Sequence, residues 1–278
     1  MSDPSLVYAY AVLRRTPEAA AAVSDLRGVA ADPIHLVEPT DPTSQLAFAV
    51  GHVPAADYDE APLKAHLDDL DWLESTVRSH HAVVGALVAC GAPVLPLRLA
   101  TVYPDEDHAR QALDTRRAYF LSLLDRLTGH VELGVRIYAT PDITPPEPDT
   151  EAGPETPTGL GAGRAYLSIR RRRQRRNEEA WRTVVQAAAH LTRTAGTLAV
   201  DRVAHTPQRG SLAGPAPGTN VGNDAYLVRA DRVDAFRTGV LAAAEGIPGL
   251  RVEVTGPWAP YSFALRPEPV MGPSETLL

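Results

Sequence analysis

Three aromatic side chains near the C-terminus form the first candidate for function. Trp258, Tyr261 and Phe263 directly follow a strand-like segment, and Pro257 and Pro260 lie among them. Each proline fixes one backbone φ angle near about −65° and removes a hydrogen-bond donor, so this segment cannot be a central strand. Large exposed rings favour a contact surface for a partner, whereas rings that close a core are buried. The sequence leaves both interpretations open.

A run of arginines is the second candidate. Six arginines fall within residues 170–176, and on a helix they would point in every direction, so this turn cannot pack flat against a core. They are Arg170, Arg171, Arg172, Arg173, Arg175 and Arg176. Three interpretations remain open: a solvated helix neutralised by nearby acids, docking to an acidic protein surface, or binding to nucleic acid. Because the net charge is −7, nucleic acid is the least expected partner.

The other polar clusters do not converge on a catalytic centre. Acidic residues at 68–71 and 105–107 lie near predicted helix starts, where carboxylates complement the helix dipole. His80 and His81 are adjacent and point about 100° apart on a helix, so they cannot chelate one metal ion. Cys90, the single cysteine, fits a buried inert thiol. We therefore expect no enzymatic activity, no cofactor and no metal site.

Composition indicates a globular cytoplasmic protein. The chain has 278 residues, of which 44% are hydrophobic and 22% are charged, which is enough to bury cores in two domains. One cysteine excludes an internal disulfide framework and suits a reducing compartment. The longest uncharged stretch, residues 82–97, is shorter than the roughly 20 apolar residues of a membrane span, and no signal-peptide pattern opens the chain.

The elements that would position these residues follow the order β-α-β-β-α-β, and the order then repeats. The first series comprises strand 6–13, helix 16–27, strands 34–37 and 46–50, helix 61–89 and an extended segment 94–102. The second follows a helix at 106–127 and comprises strand 131–139, one long helix or two at 164–195, strands 198–204 and 225–229, helix 233–244 and strand 250–255.

The predicted fold is α+β, with two domains of ferredoxin-like element order joined by a helix. We place the N-terminal domain at residues 1–103, the connecting helix at 104–128 and the C-terminal domain at 129–278. Two segments rich in proline and glycine, 141–163 and 207–222, are predicted to be mobile loops of the second domain.

Five sequence motifs occur in an order that resembles the gas vesicle protein F/L family over nearly the whole chain. They are Val7-Tyr8-Ala9-Tyr10, Pro93-Val94-Leu95-Pro96-Leu97-Arg98, Gly163-Arg164-Ala165-Tyr166-Leu167, Asn223-Asp224-Ala225-Tyr226-Leu227-Val228 and Thr255-Gly256-Pro257-Trp258-Ala259-Pro260-Tyr261-Ser262-Phe263. The family pattern continues Phe-Gly-Thr after the second motif, whereas this chain has Leu99-Ala100-Thr101. A turn that depends on glycine is therefore in question at Ala100.

The resemblance implies a non-enzymatic accessory role in gas vesicle assembly, in nucleation or as a chaperone. It implies binding to the small hydrophobic shell subunit and to other accessory gas vesicle proteins, in the cytoplasm and at the vesicle surface or on an assembly intermediate. The candidate partner-binding residues are Arg98, the six arginines of 170–176, Trp258, Tyr261 and Phe263. The alternative is a small-ligand or RNA-binding module, because the ferredoxin-like scaffold hosts many functions.

Overall fold

The computed structural model describes residues 4–41, 43–146, 162–207 and 218–264. Contacts divide the chain into two compact units. The N-terminal unit contains residues 4–131 together with 258–264, and the C-terminal unit contains the described residues of 132–257. Among these residues, none of the helices combines the length and apolarity that a membrane span requires.

The N-terminal unit is built on an antiparallel sheet in which β1 is central. Its strands are β1 (Ser5–Arg14), β2 (His35–Val37), β3 (Leu46–Pro54), β4 (Val94–Pro96) and β5 (Val102–Tyr103), in the order β2-β3-β1-β4, and β5 also pairs with β1. Residues 7–13 of β1 are all at most 2% exposed, because both faces of this strand are covered. That burial explains why the strand is continuously apolar rather than alternating.

Helices cover both faces of this sheet. They are α1 (Pro17–Ser24), α2 (Ala55–Tyr58), α3 (Glu60–His66), α4 (Leu70–Ala89), α5 (Glu106–Thr115) and α6 (Arg117–Leu127). On one face, Tyr8 and Tyr10 pack with residues of α1 and α4. On the other, Phe120 of α6 packs edge-on against Phe48 of β3, with ring centroids 5.9 Å apart.

Two predicted helices are interrupted in the structure. The helix expected at 61–89 is divided into α3 and α4, because the Asp69 carboxylate caps α4 by accepting hydrogen bonds from the backbone N–H groups of Asp71 and Trp72 at 3.0 and 3.2 Å. The helix expected at 106–127 is divided at Arg116, whose φ and ψ of −105° and 16° leave the helical region.

The segment expected to be extended at 94–102 contains a tight turn. Ala100 has a φ of 59°, the left-handed region that glycine occupies without strain. The turn forms with alanine because the Ala100 N–H donates to the Tyr8 hydroxyl at 3.0 Å and the Thr101 hydroxyl donates to the Arg98 carbonyl at 2.8 Å. Glycine is therefore not required at this position.

The C-terminal unit repeats the strand order of the N-terminal one. Its elements are β6 (His130–Ala139), α7 (Ala162–Thr197), β7 (Asp201–Ala204), β8 (Thr219–Arg229), α8 (Val233–Ala244) and β9 (Leu250–Trp258). The sheet order is β7-β8-β6-β9. When the strands of each unit are counted along the chain, both sheets therefore have the order second, third, first, fourth. The predicted α+β fold with two ferredoxin-like sheets is confirmed, and the helix expected at 164–195 is a single one.

The units differ from the predicted domain boundaries. Residues 104–128, expected to connect two domains, form α5 and α6, which pack against the N-terminal sheet. Residues 258–264, expected in the C-terminal domain, belong to the N-terminal unit. Of the predicted mobile loops, 147–161 and 208–217 lie outside the described residues, whereas residues 219–222 form part of β8.

Candidate partner-binding surface

The C-terminal segment, residues 258–264, is anchored on the N-terminal unit. Its short helix α9 (Tyr261–Ala264) lies beside β4. Phe263 is 0% exposed, and Ala259 and Tyr261 pack against the hydrophobic core that contains Tyr8. The segment is therefore held at both of its ends by apolar contacts.

Two histidines of α4 support Tyr261. The Tyr261 ring stacks on His81, with centroids 4.9 Å apart and planes inclined by 17°, and lies 6.1 Å from the ring of His80. Of these two histidines, His80 is buried and His81 is largely exposed, because Thr76, His80 and Val83 face the sheet.

His80 is a buried member of a polar and aromatic cluster. Its Nδ1 lies 3.0 Å from the hydroxyl of Tyr8, and its ring centroid lies 5.5 Å from that of Tyr10. Because the Tyr8 hydroxyl already accepts the N–H of Ala100, we assign its own proton to His80 Nδ1. His80 is then a neutral imidazole with its proton on Nε2, a buried nitrogen for which the described residues supply no hydrogen-bond partner. The Tyr10 hydroxyl likewise accepts the Val29 N–H at 2.8 Å.

Burial opposes protonation of His80. Removal from water, reinforced by the neighbouring His81 and partly offset by the Leu97 carbonyl, lowers the pKa of His80 from 6.5 to about 4. Although His81 is more exposed, the partial removal of its ring from water also lowers the pKa of His81. The ring pair beneath Tyr261 is therefore neutral at physiological pH.

The three candidate aromatics have three different environments. Trp258 is 56% exposed, Tyr261 is half-buried on His81, and Phe263 is fully buried. Both interpretations of the sequence thus apply, each to a different ring. Phe263 closes the core, whereas Trp258 offers a large apolar surface to solvent.

The arginine segment, residues 170–176, belongs to the C-terminal unit. All six of its arginines are exposed on α7. The helix packs on its sheet further along, through Val184, Ala188, Leu191 and Ala195, which recur at steps of three and four residues. Ahead of these contacts, the Asn177 side chain pairs with the backbone of Thr144, where Nδ2 donates to the carbonyl at 2.9 Å. The arginine segment therefore precedes the packed part of the helix.

Arg98 is exposed in the turn that follows β4. Because α9 also packs beside β4, Arg98 and the C-terminal segment share the N-terminal unit. The structure thus assigns the candidate residues to two places: Arg98, Trp258, Tyr261 and Phe263 to the N-terminal unit, and the arginine segment to the C-terminal unit.

Within the described part of the chain, one group of side chains could hold a metal ion. The ligating atoms of His35, His52 and Glu106 all lie within 4.8 Å of one another. No local sequence pattern indicates this group, because its members are far apart in the chain and share no metal-binding spacing. The sheet register of β2 and β3 is the signal that brings the two histidines together.

Comparison with known proteins decides the family. The family model for gas vesicle synthesis protein GvpL/GvpF matches residues 6–265. The chain belongs to the GvpL/GvpF family. This membership supports a role in gas vesicle formation and confirms the resemblance read from the sequence.

Relatives of both types occur in one organism. The chain is 40% identical to gas vesicle protein L of Streptomyces sp. (strain CB03234) over 264 residues, which cover 95% of this chain and 94% of the relative. It is 25% identical to gas vesicle protein F of the same strain over 230 residues, covering 80% and 89%. The chain is thus more similar to the L protein than to the F protein of that organism.

Solved structures of the family share the fold. The crystal structure of GvpF from Anabaena sp. PCC7120 matches with a TM-score of 0.65 at 17% identity and covers 95% of this chain and 97% of that one. GvpF from Microcystis aeruginosa matches with a TM-score of 0.60 at 16% identity, covering 94% and 99%. Both fold comparisons extend over the two units of the GvpL/GvpF chain.

The low pKa of His80 predicts an acid-sensitive fold. Below pH 6.5 the unfolded chain binds a proton at this ring, whereas the folded chain does not until about pH 4, so acidification favours unfolding in this window. We expect the wild-type chain to lose about 2 kcal/mol more of its free energy of unfolding between pH 7 and pH 4.5 than His80→Gln does. Urea unfolding at the two pH values measures the difference.

Gln retains an acceptor for the Tyr8 hydroxyl but does not titrate, so the variant separates proton binding from packing. His190→Gln, which alters an exposed histidine on α7, serves as the matched control and should retain the wild-type loss. An equal acid-induced loss in wild type and His80→Gln would contradict the assignment.

Proposed function

We propose that this GvpL/GvpF chain is a non-enzymatic accessory protein that binds the hydrophobic gas vesicle shell subunit during assembly, in a nucleation or chaperone-like role. It would act in the cytoplasm, on an assembly intermediate or at the vesicle surface, together with other accessory gas vesicle proteins. The exposure of Trp258 on a firmly anchored segment is the observation that carries this proposal.

The surface chemistry of Trp258 suits such a partner. A shell subunit with one face destined for gas exposes apolar surface before assembly and is prone to aggregate. A tryptophan ring covers a large apolar area with few rotatable bonds, and tryptophan is enriched among the residues that dominate binding energy. The C-terminal segment holds this ring at the surface through Ala259 and Phe263. Binding would therefore cost little additional conformational entropy.

The placement of the perturbed side chains favours binding over catalysis. The pKa of Tyr8 and Tyr10 is raised by burial, and that of His80 is lowered by burial. All three are at most 1% exposed, so no substrate reaches them in this conformation. Their altered pKa values reflect a packed core rather than a cleft prepared for proton transfer.

The exposed arginines add an electrostatic component to the proposal. Arg98 on the N-terminal unit and the arginine segment on the C-terminal unit both face solvent. Guanidinium groups pair well with carboxylates, so these residues would orient and accelerate the approach of an acidic partner surface. They would increase the rate of association rather than supply most of the binding affinity.

Removal of the Trp258 ring tests the apolar contact. We expect Trp258→Ala to reduce capture of the co-expressed shell subunit at least about 10-fold, because truncation of a central aromatic residue typically costs 2 kcal/mol or more. A quantitative pull-down measures this reduction. The stability of the chain should change little, because the ring is exposed.

Leu241→Ala is the matched control, since Leu241 is 50% exposed on α8 of the other unit. Its capture of the shell subunit should equal that of the wild type. Unchanged capture by Trp258→Ala, or an equal loss in both variants, would refute the role of Trp258. Phe263→Ala is unsuitable, because emptying this buried site costs about 3–5 kcal/mol of stability.

Salt dependence tests the arginine segment. We expect wild-type capture to weaken between about 0.1 M and 1 M salt, where screening becomes strong, and a variant with all six arginines changed to Gln to lose this dependence. The variant with the same six changed to Lys conserves the charge and should behave as the wild type. Identical salt profiles for the Gln and Lys variants would exclude the segment from partner docking.

A further inference from the structure

Three side chains with metal-ligating atoms meet on the N-terminal unit. His35 lies in β2, His52 in β3, and Glu106 is the first residue of α5. The two strands are antiparallel and pair His35 with Val50, so His52 lies two residues along β3 and on the same face as His35. Since α5 contacts both strands, its first turn brings the Glu106 carboxylate to the two rings.

The distances suit a shared ligand. Glu106 Oε1 lies 2.9 Å from His35 Nε2 and 3.8 Å from His52 Nε2, and the two imidazoles stack with centroids 5.3 Å apart. A tetrahedral zinc ion with bonds of about 2.0–2.1 Å separates its ligand atoms by about 3.3 Å. The observed separations of at most 4.8 Å reach that value with small side-chain rotations.

A second carboxylate lies beside one of the imidazoles. Asp32 Oδ2 accepts the backbone N–H of His52 at 2.7 Å and lies 3.8 Å from His52 Nδ1. The His52 ring thus faces Glu106 with Nε2 and Asp32 with Nδ1. Histidines that bind metals typically present their second nitrogen to a carboxylate in this way, which fixes the ring and raises its basicity.

We propose that His35, His52 and Glu106 bind one Zn²⁺ ion. Two neutral imidazoles and one carboxylate form a donor set that zinc accepts, and the fourth position stays open to water or to a side chain of a partner. The three side chains are 37–43% exposed, so an ion reaches them from solvent. Bound zinc would link β2, β3 and α5.

Calorimetric titration of the untagged full chain with zinc chloride at pH 7.5 tests the proposal. One ion should bind per chain, and His35→Ala, His52→Ala and Glu106→Gln should each remove that binding. Asp32→Asn should weaken it about 10-fold or more, as loss of an orienting carboxylate does.

His108→Ala is the matched control, because His108 lies on the same helix α5 but pairs with Asp105 at 2.7 Å. It should bind zinc as the wild type does. Circular dichroism verifies that each variant folds, and the conservative Glu106→Gln retains the shape of the site. The proposal would be overturned if the wild type bound no zinc. It would also be overturned if the folded His35→Ala and His52→Ala variants still bound one zinc ion per chain.

Discussion

The hydroxyl of Tyr8 is the point on which the N-terminal unit depends. It accepts the N–H of Ala100 and donates to His80. One side chain of the central strand thus fixes the turn after β4 and holds α4 in position against the sheet. Removal of a buried partner of this kind costs about 1–3 kcal/mol because the remaining polar groups lose their partner. The Ala100 turn, which adopts a left-handed conformation without glycine, relies on this bond.

The same cluster places the candidate binding surface. His80 and His81 lie beneath Tyr261, and Tyr261 begins the short helix that buries Phe263 beside β4. The order of contacts therefore runs from the central strand through α4 to the C-terminal segment. Trp258 precedes these anchored residues and remains in solvent. In this account the buried rings supply rigidity, and the exposed ring supplies contact area.

The element order, and with it the fold, could be predicted because strands and helices in both units have clear periodicity and stops. The predicted α+β fold with two ferredoxin-like units was confirmed, and the structure adds the strand order within each sheet. Finer features depended on single side chains. A capping carboxylate at Asp69 divides a helix that apolar spacing alone makes continuous. Apolar spacing alone does not decide which of His80 and His81 is buried, since they follow Val77 by three and four residues and both steps fit a helical face.

Long-range contacts determine the remaining features, which the sequence alone does not predict. Phe263 and Trp258 have the same aromatic character in the sequence, and only packing against a unit more than a hundred residues away separates a core ring from a surface ring. The histidines at 35 and 52 and the carboxylate at 106 likewise meet only through strand pairing and the position of α5. No local motif marks such a group.

The role proposed for Trp258 requires its ring to be exposed in the free chain and covered by the bound shell subunit. Acrylamide quenching of a chain in which Trp72 and Trp181 are replaced by Phe, so that Trp258 alone fluoresces, tests it most directly. Acrylamide should quench the free chain readily, and addition of the shell subunit should protect Trp258 strongly and shift its emission to the blue. Protection already present in the free chain, or quenching unchanged by the subunit, would contradict it.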